Sequence, residues 1–145
     1  MNIRKYSFVP LLAIFLVVAS CAGMETKSDG GDSAVVRVEV VNPNASLNVD
    51  DPTRMYVSVV NLTDETLDGL EFSVRESPTY LIDLSYTGGE IDPIPPRGSW
   101  SPTDGVGIRA RETGRVVITF EVLKDGVPLA KDTAYVRVSP DPFYE

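Results

Sequence analysis

The chain has 145 residues, 43% of them hydrophobic, with a formal net charge of −8, one cysteine and no histidine. That length favours a single domain. The lone cysteine excludes an internal disulfide, and the missing histidine removes the commonest general base and metal ligand, with Ser-His-Asp and Cys-His catalysis.

The first element is a leader. Asn2-Ile3-Arg4-Lys5 is a short cationic start, and the thirteen positions from Phe8 to Ser20 are apolar or small without a charge. A helix needs about 20 residues to cross a bilayer, so this pattern predicts a signal peptide over residues 1–20. Val18-Ala19-Ser20-Cys21 then resembles the lipobox of bacterial lipoproteins: a branched aliphatic, two small residues and a cysteine. The resemblance implies that Val18, Ala19 and Ser20 are read by the signal peptidase and that Cys21 takes a diacylglycerol and becomes the first mature residue. Each buried acyl methylene contributes about 0.8 kcal/mol, and stable anchoring takes more than one chain. The other reading of these residues is an ordinary secretory signal with a chance cysteine. Apart from the covalent lipid, no cofactor is expected.

Residues 22–33, AGMETKSDGGDS, are polar and glycine-rich, which predicts a flexible tether after Cys21. In Gram-negative lipoproteins an aspartate directly after the cysteine goes with inner-membrane retention. Ala22 therefore points to the outer membrane, with the periplasmic or surface face left open. Without Arg4 and Lys5 the 13 cations fall to 11 against 21 anions, a net charge of about −10. Such a charge keeps the chain soluble and speaks against nucleic acid or anionic headgroups as partners.

From Ala34 the hydrophobic period becomes two. Val36, Val38 and Val40 alternate with Arg37 and Glu39. Met55, Val57 and Val59 do the same, as do Leu70, Phe72 and Val74; Val116 through Val122; and Ala134, Val136 and Val138. Weaker strands are expected at Tyr80–Tyr86 and Val106–Ala110. The runs are broken at Asn42-Pro43-Asn44, Asp51-Pro52, Asn61–Asp64, Gly88-Gly89 and Asp125-Gly126. About seven short strands without helical periodicity predict an all-β, immunoglobulin-like antiparallel sandwich over residues 34–145.

The stretch MYVSVVNLTDETLDGLEFSV (Met55–Val74) resembles the B and C strands of bacterial immunoglobulin-like modules of the CARDB type. IPPRGSW (Ile94–Trp100) resembles their proline-glycine turn, with Arg97 intruding between Pro96 and Gly98. TGRVVITFEVLKDGVPLAKDTAYVRV (Thr113–Val138) resembles their closing hairpin. The stretch from Ser77 to Gly105 departs from that pattern. These are fold motifs and imply an architecture rather than a task.

Carboxylates are the chemistry that remains. Asp50-Asp51 and Asp64-Glu65 are adjacent pairs in expected loops, where acidic residues ordinarily serve as solvated turn punctuation; a carboxylate hydrolase would need them held at a defined separation. Asn48, Asp50 and Asp51 offer hard oxygen ligands for calcium, although their spacing matches no EF-hand loop. Two sequons occur, at Asn44 and Asn61. Trp100 and Phe72 are expected in the core or at its rim. Tyr80, Tyr86, Phe143 and Tyr144 fall at ends or in irregular segments, where they suit a contact surface, and the proline-rich loop presents Arg97 and Trp100. The expected role is non-catalytic: protein–protein interaction or envelope assembly, with an envelope protein or polysaccharide as the partner. A calcium- or carbohydrate-dependent adhesion module is the alternative, and a hydrolase the third.

Overall fold

The computed structural model describes residues 34–140. The leader, the lipobox residues Val18, Ala19, Ser20 and Cys21, the tether, and Phe143 and Tyr144 lie outside the described residues. Among the described residues every regular element is a strand, and no helix is long and apolar enough to cross a membrane.

Ten strands follow in order: β1 (Val36–Val41), β2 (Asn44–Asn48), β3 (Pro52–Asn61), β4 (Leu70–Ser77), β5 (Ile82–Leu84), β6 (Gly88–Ile91), β7 (Ser99–Trp100), β8 (Val106–Ala110), β9 (Gly114–Lys124) and β10 (Val127–Ser139). One sheet runs β1-β3-β8-β5, with β7 pairing β3 as well; the other runs β2-β10-β9-β4-β6. The all-β, immunoglobulin-like sandwich is as the alternation predicts.

Four details differ from the sequence reading. There are ten strands rather than about seven, the additions being β2, β6 and β7. The sandwich is not wholly antiparallel, because β2 runs parallel to β10, from Tyr135↔Asn44 to Ser139↔Asn48. Gly88-Gly89 is not a break but the start of β6, paired with Ser73 and Phe72. Gly88 takes φ 137, and a Cβ there would land on the Phe72 carbonyl oxygen, so only glycine lets the two backbones approach. The expected strand at Tyr80–Tyr86 shrinks to Ile82–Leu84.

The turns explain the routing. Asn42 sits at φ 55 ahead of Pro43, and the chain leaves the first sheet there to start β2 in the second. Asparagine tolerates that left-handed backbone, and proline supplies no ladder donor. Asp125 and Gly126, both at positive φ (53 and 76), close the β9–β10 hairpin in the geometry of a two-residue primed turn.

The inward-facing residues of both sheets form one core. Val57, Val59, Val106, Ile118, Phe120 and Val122 are at most 2% exposed. Phe72 and Phe120 stack at its centre, with ring centroids 6.3 Å apart.

Asn61, at the end of β3, is 1% exposed. Its Nδ2 donates to the carbonyls of Glu65 (2.7 Å), Ile94 (3.1 Å) and Pro95 (3.0 Å), while its Oδ1 accepts from the Thr63 amide and hydroxyl (2.8 Å each). This one side chain ties the β3–β4 connection to the 94–98 turn. It is also a sequon asparagine with no access to a glycosyl donor, whereas Asn44 is exposed.

Candidate functional site

Phe72 is the buried floor of an aromatic cluster that joins the two sheets. The Tyr86 ring, in the β5–β6 connection, stacks on it at 6.2 Å and 21°, and Trp100, on β7, meets it edge-on at 5.3 Å and 62°. Offset-stacked and edge-to-face contacts of this kind are favoured by the ring quadrupole. Both outer rings are only partly buried and line an open cleft of about 380 Å³ with Ser85, Glu90, Asp92 and the segment from Ser101 to Gly105.

The cleft is acidic. Glu90, Asp92 and Asp104 contribute carboxylates, Ser85, Ser101 and Thr103 contribute hydroxyls, and no lysine or arginine is among the lining residues. Arg54 approaches from outside and donates to the Asp104 carbonyl oxygen at 2.8 Å. Ser85 is held by accepting the Gly107 amide at 2.8 Å, and Ser101 by a 3.2 Å hydroxyl contact with Ser58. Partial burial raises the Tyr86 phenol above its ordinary pKa. Flat aromatic surface beside fixed acceptors suits a hydroxylated ring or a cationic side chain.

Of the four described residues expected to form a contact surface, Tyr86 and Trp100 share this cleft, whereas Tyr80 and Arg97 do not line it. Tyr80 is 62% exposed in the β4–β5 connection. Arg97 lies at φ 57 in the Pro95–Gly98 turn, where its amide donates to the Thr63 carbonyl (3.1 Å) and its Nε to Asp64 Oδ1 (2.9 Å). That hydrogen bond, and then the charge of the guanidinium, hold the Asp64 carboxyl below the usual carboxylate range. Of the adjacent acids, Asp64 pairs through its carboxylate with Arg97, while the backbone carbonyl of Glu65 accepts from Asn61.

Asn48, Asp50 and Asp51 do share the β2–β3 turn. Asp51 Oδ2 accepts from the Asn48 amide (3.2 Å) and Nδ2 (3.1 Å), and Asp50 faces Arg109 at 3.6 Å. One oxygen of each aspartate thus faces a protein donor. Among the described residues no group of three or more His, Cys, Asp and Glu is placed to hold a metal ion.

The cleft's acids escaped sequence reading because Glu90 and Asp92, at the end of β6, and Asp104, after β7, lie in two segments that only the β6 and β7 pairings bring together. The signal that was present is the cluster of aromatics and prolines between Tyr86 and Pro102.

No protein-family model matches the chain, and no curated protein matches it by sequence. Solved structures do. The CARDB domain of a Pyrococcus furiosus protein superposes with a TM-score of 0.54 at 18% identity, covering 72% of this chain and 94% of that one. The fold is CARDB-like. Native alpha-2-macroglobulin of E. coli gives a TM-score of 0.55 at 19% identity, over 74% of this chain and 7% of that much longer one. Salmonella alpha-2-macroglobulin reacted with methylamine gives 0.53 at 20%, over 73% and 7%. At these identities the likeness is one of architecture: a CARDB-like, immunoglobulin-type sandwich that matches nearly all of one domain structure and a small part of a large protein.

Proposed function

We propose that this chain is a lipid-anchored, non-catalytic binding module of the bacterial cell envelope, tethered through Cys21 on the outer membrane and presenting its sandwich to an envelope protein. The observation that carries the binding role is the cleft where Tyr86, from the β5–β6 connection, and Trp100, from β7, are fixed on Phe72 and stand beside three carboxylates and three hydroxyls. The absence of histidine, and the engagement of Asp50, Asp51 and Asp64 with protein donors, supports binding over catalysis. The leader and the lipobox resemblance support the anchor and the address. A carbohydrate ligand is the second reading, favoured by the hydroxyl and carboxylate rim around the tryptophan.

Two experiments test this. A clickable fatty acid fed to bacteria expressing the chain should label the wild type and not Cys21→Ala; equal labelling removes the anchor. A photo-crosslinking residue at Ser101 should capture an envelope component in living cells, and Trp100→Ala should lower that yield at least tenfold. Yields unchanged by Trp100→Ala would move the contact elsewhere.

A further inference from the structure

Ten lysines and arginines fall within residues 34–140. Seven of them lie within 4.0 Å of a carboxylate: Arg37, Arg54, Arg75, Arg97, Arg109, Arg111 and Lys124. Among the described residues, the three without such a partner are Arg115, Lys131 and Arg137. All three stand on the exposed face of the β9–β10 pair, in register positions that alternate with buried Val116, Ile118, Ala134 and Val136. Among the described residues of this acidic protein, the positive charge left without a carboxylate partner is gathered on one face.

The register sharpens the point. Arg137 is directly opposite Arg115 on the neighbouring strand. Like charges in that position repel and destabilise a sheet. The carboxylate in register with Lys131 is Glu121, and Arg75 already takes it. One step along, Tyr135 is opposite Val117, and both are large apolar residues left exposed, at 56% and 36%. On the other side of β10, the parallel strand β2 sets Asn44 beside Tyr135 and Ser46 beside Arg137. These residues line an open concavity of about 440 Å³. It combines two guanidinium groups, a phenol, an aliphatic patch and two small polar side chains.

We infer that this concavity is a second binding site, for an acidic peptide segment of a partner protein in which a carboxylate side chain adjoins an aromatic or aliphatic one. The carboxylate relieves the Arg115–Arg137 repulsion by taking their forked donors, which match carboxylate geometry. The neighbouring apolar side chain covers Tyr135 and Val117. Charge complementarity selects the occupant. An extended polyanion, such as a nucleic acid or an anionic bilayer, would bring many like charges against a chain whose net charge is −8, whereas a peptide brings one or two to the cationic face. The site stands apart from the Tyr86–Trp100 cleft and does not depend on the lipid anchor.

The test is an array of short peptides in which Asp or Glu adjoins Phe, Tyr, Leu or Val, each with an Asn or Gln counterpart, probed with the full chain in detergent at low salt. Acidic peptides should bind at least tenfold better than their amide counterparts, and Arg115→Gln with Arg137→Gln should abolish that difference. The same two substitutions should leave the melting temperature at low salt equal to the wild type or higher, because they remove a repulsion from an exposed face. The inference is overturned if acidic and amide peptides bind alike, or if the double variant keeps the preference. It is equally overturned if phosphatidylglycerol vesicles or duplex DNA bind the wild type better than any peptide does.

Discussion

Replacing Asn61 with alanine removes, in one step, a donor shared by three carbonyls and an acceptor for two Thr63 groups. At about 1 kcal/mol net per hydrogen bond the upper bound is roughly 5 kcal/mol. The structure lowers that figure. The Ile94 carbonyl keeps the Leu67 amide as a donor (3.0 Å), the Pro95 carbonyl keeps that of Gly98 (2.9 Å), and the contacts of Thr63 and Glu65 lie near solvent. We expect a loss of about 2–4 kcal/mol, against the roughly 5–15 kcal/mol available to a domain. Read by circular dichroism, that is a fall in melting temperature of roughly 10–20 °C, with the urea m-value unchanged. Asn61→Asp is the sharper variant. It keeps the size and the Thr63 acceptor but turns an oxygen toward three carbonyl oxygens, so it should cost more than alanine at pH 7. Burial among acceptors raises the folded-state pKa of the new carboxyl, so its protonated form is the tolerated one. The variant's stability relative to wild type is therefore greatest below the unfolded value of about 3.9 and falls as pH rises through the raised value. A loss below 1 kcal/mol for alanine, or an aspartate variant as stable as wild type at pH 7, would refute the role assigned to Asn61.

Gly88→Ala places a Cβ on the Phe72 carbonyl oxygen at a φ of 137, so β6 should detach from β4. Amide exchange over Gly88–Ile91 would report the loss, and unaltered protection there would contradict the packing. At Arg97, glycine should be about 1 kcal/mol more stable than alanine, because both lose the Asp64 pair but only alanine keeps the left-handed strain; urea titration of the two variants decides it. The Tyr86 phenol is raised in the folded state, so its contribution to stability is complete below pH 10 and is lost as pH climbs through the raised value. Tyr86→Phe should flatten that alkaline decline, and an unchanged slope in melts from pH 8 to 11 would count against burial as its cause. Millimolar calcium should leave the melting temperature unmoved, since Asp50 and Asp51 already face Arg109 and Asn48; a rise of several degrees would reinstate the β2–β3 turn as a calcium site.

Alternation made the long strands legible, because β1, β3, β4, β9 and β10 each bury one face and leave the other in contact with water. The short ones lacked that contrast. On β2, an edge strand, no residue is fully buried; β7 has two residues; and β6 opens on two glycines that read as a break until the Phe72 carbonyl beside them is seen. The candidate site was half legible. Aromatic side chains announce themselves, so Tyr86 and Trp100 could be picked out, whereas Glu90, Asp92 and Asp104 look like any loop acids until two sheets bring them together. The paired arginines were less visible still. Arg115 and Arg137 are 22 positions apart, and nothing local distinguishes them from the seven cations that find carboxylates.

The crossing at Asn42-Pro43 also gives the sandwich a mechanical character. Because β2 runs parallel to β10, forces pulling the start of β2 and the end of β10 apart act along the strands, and the five residue pairs from Asn44 to Asn48 share the load in shear. An antiparallel pair loaded from one end would instead unzip one rung at a time. A domain whose last strand is joined in this way to an early one resists stretching through its unfolding rate, whatever its equilibrium stability.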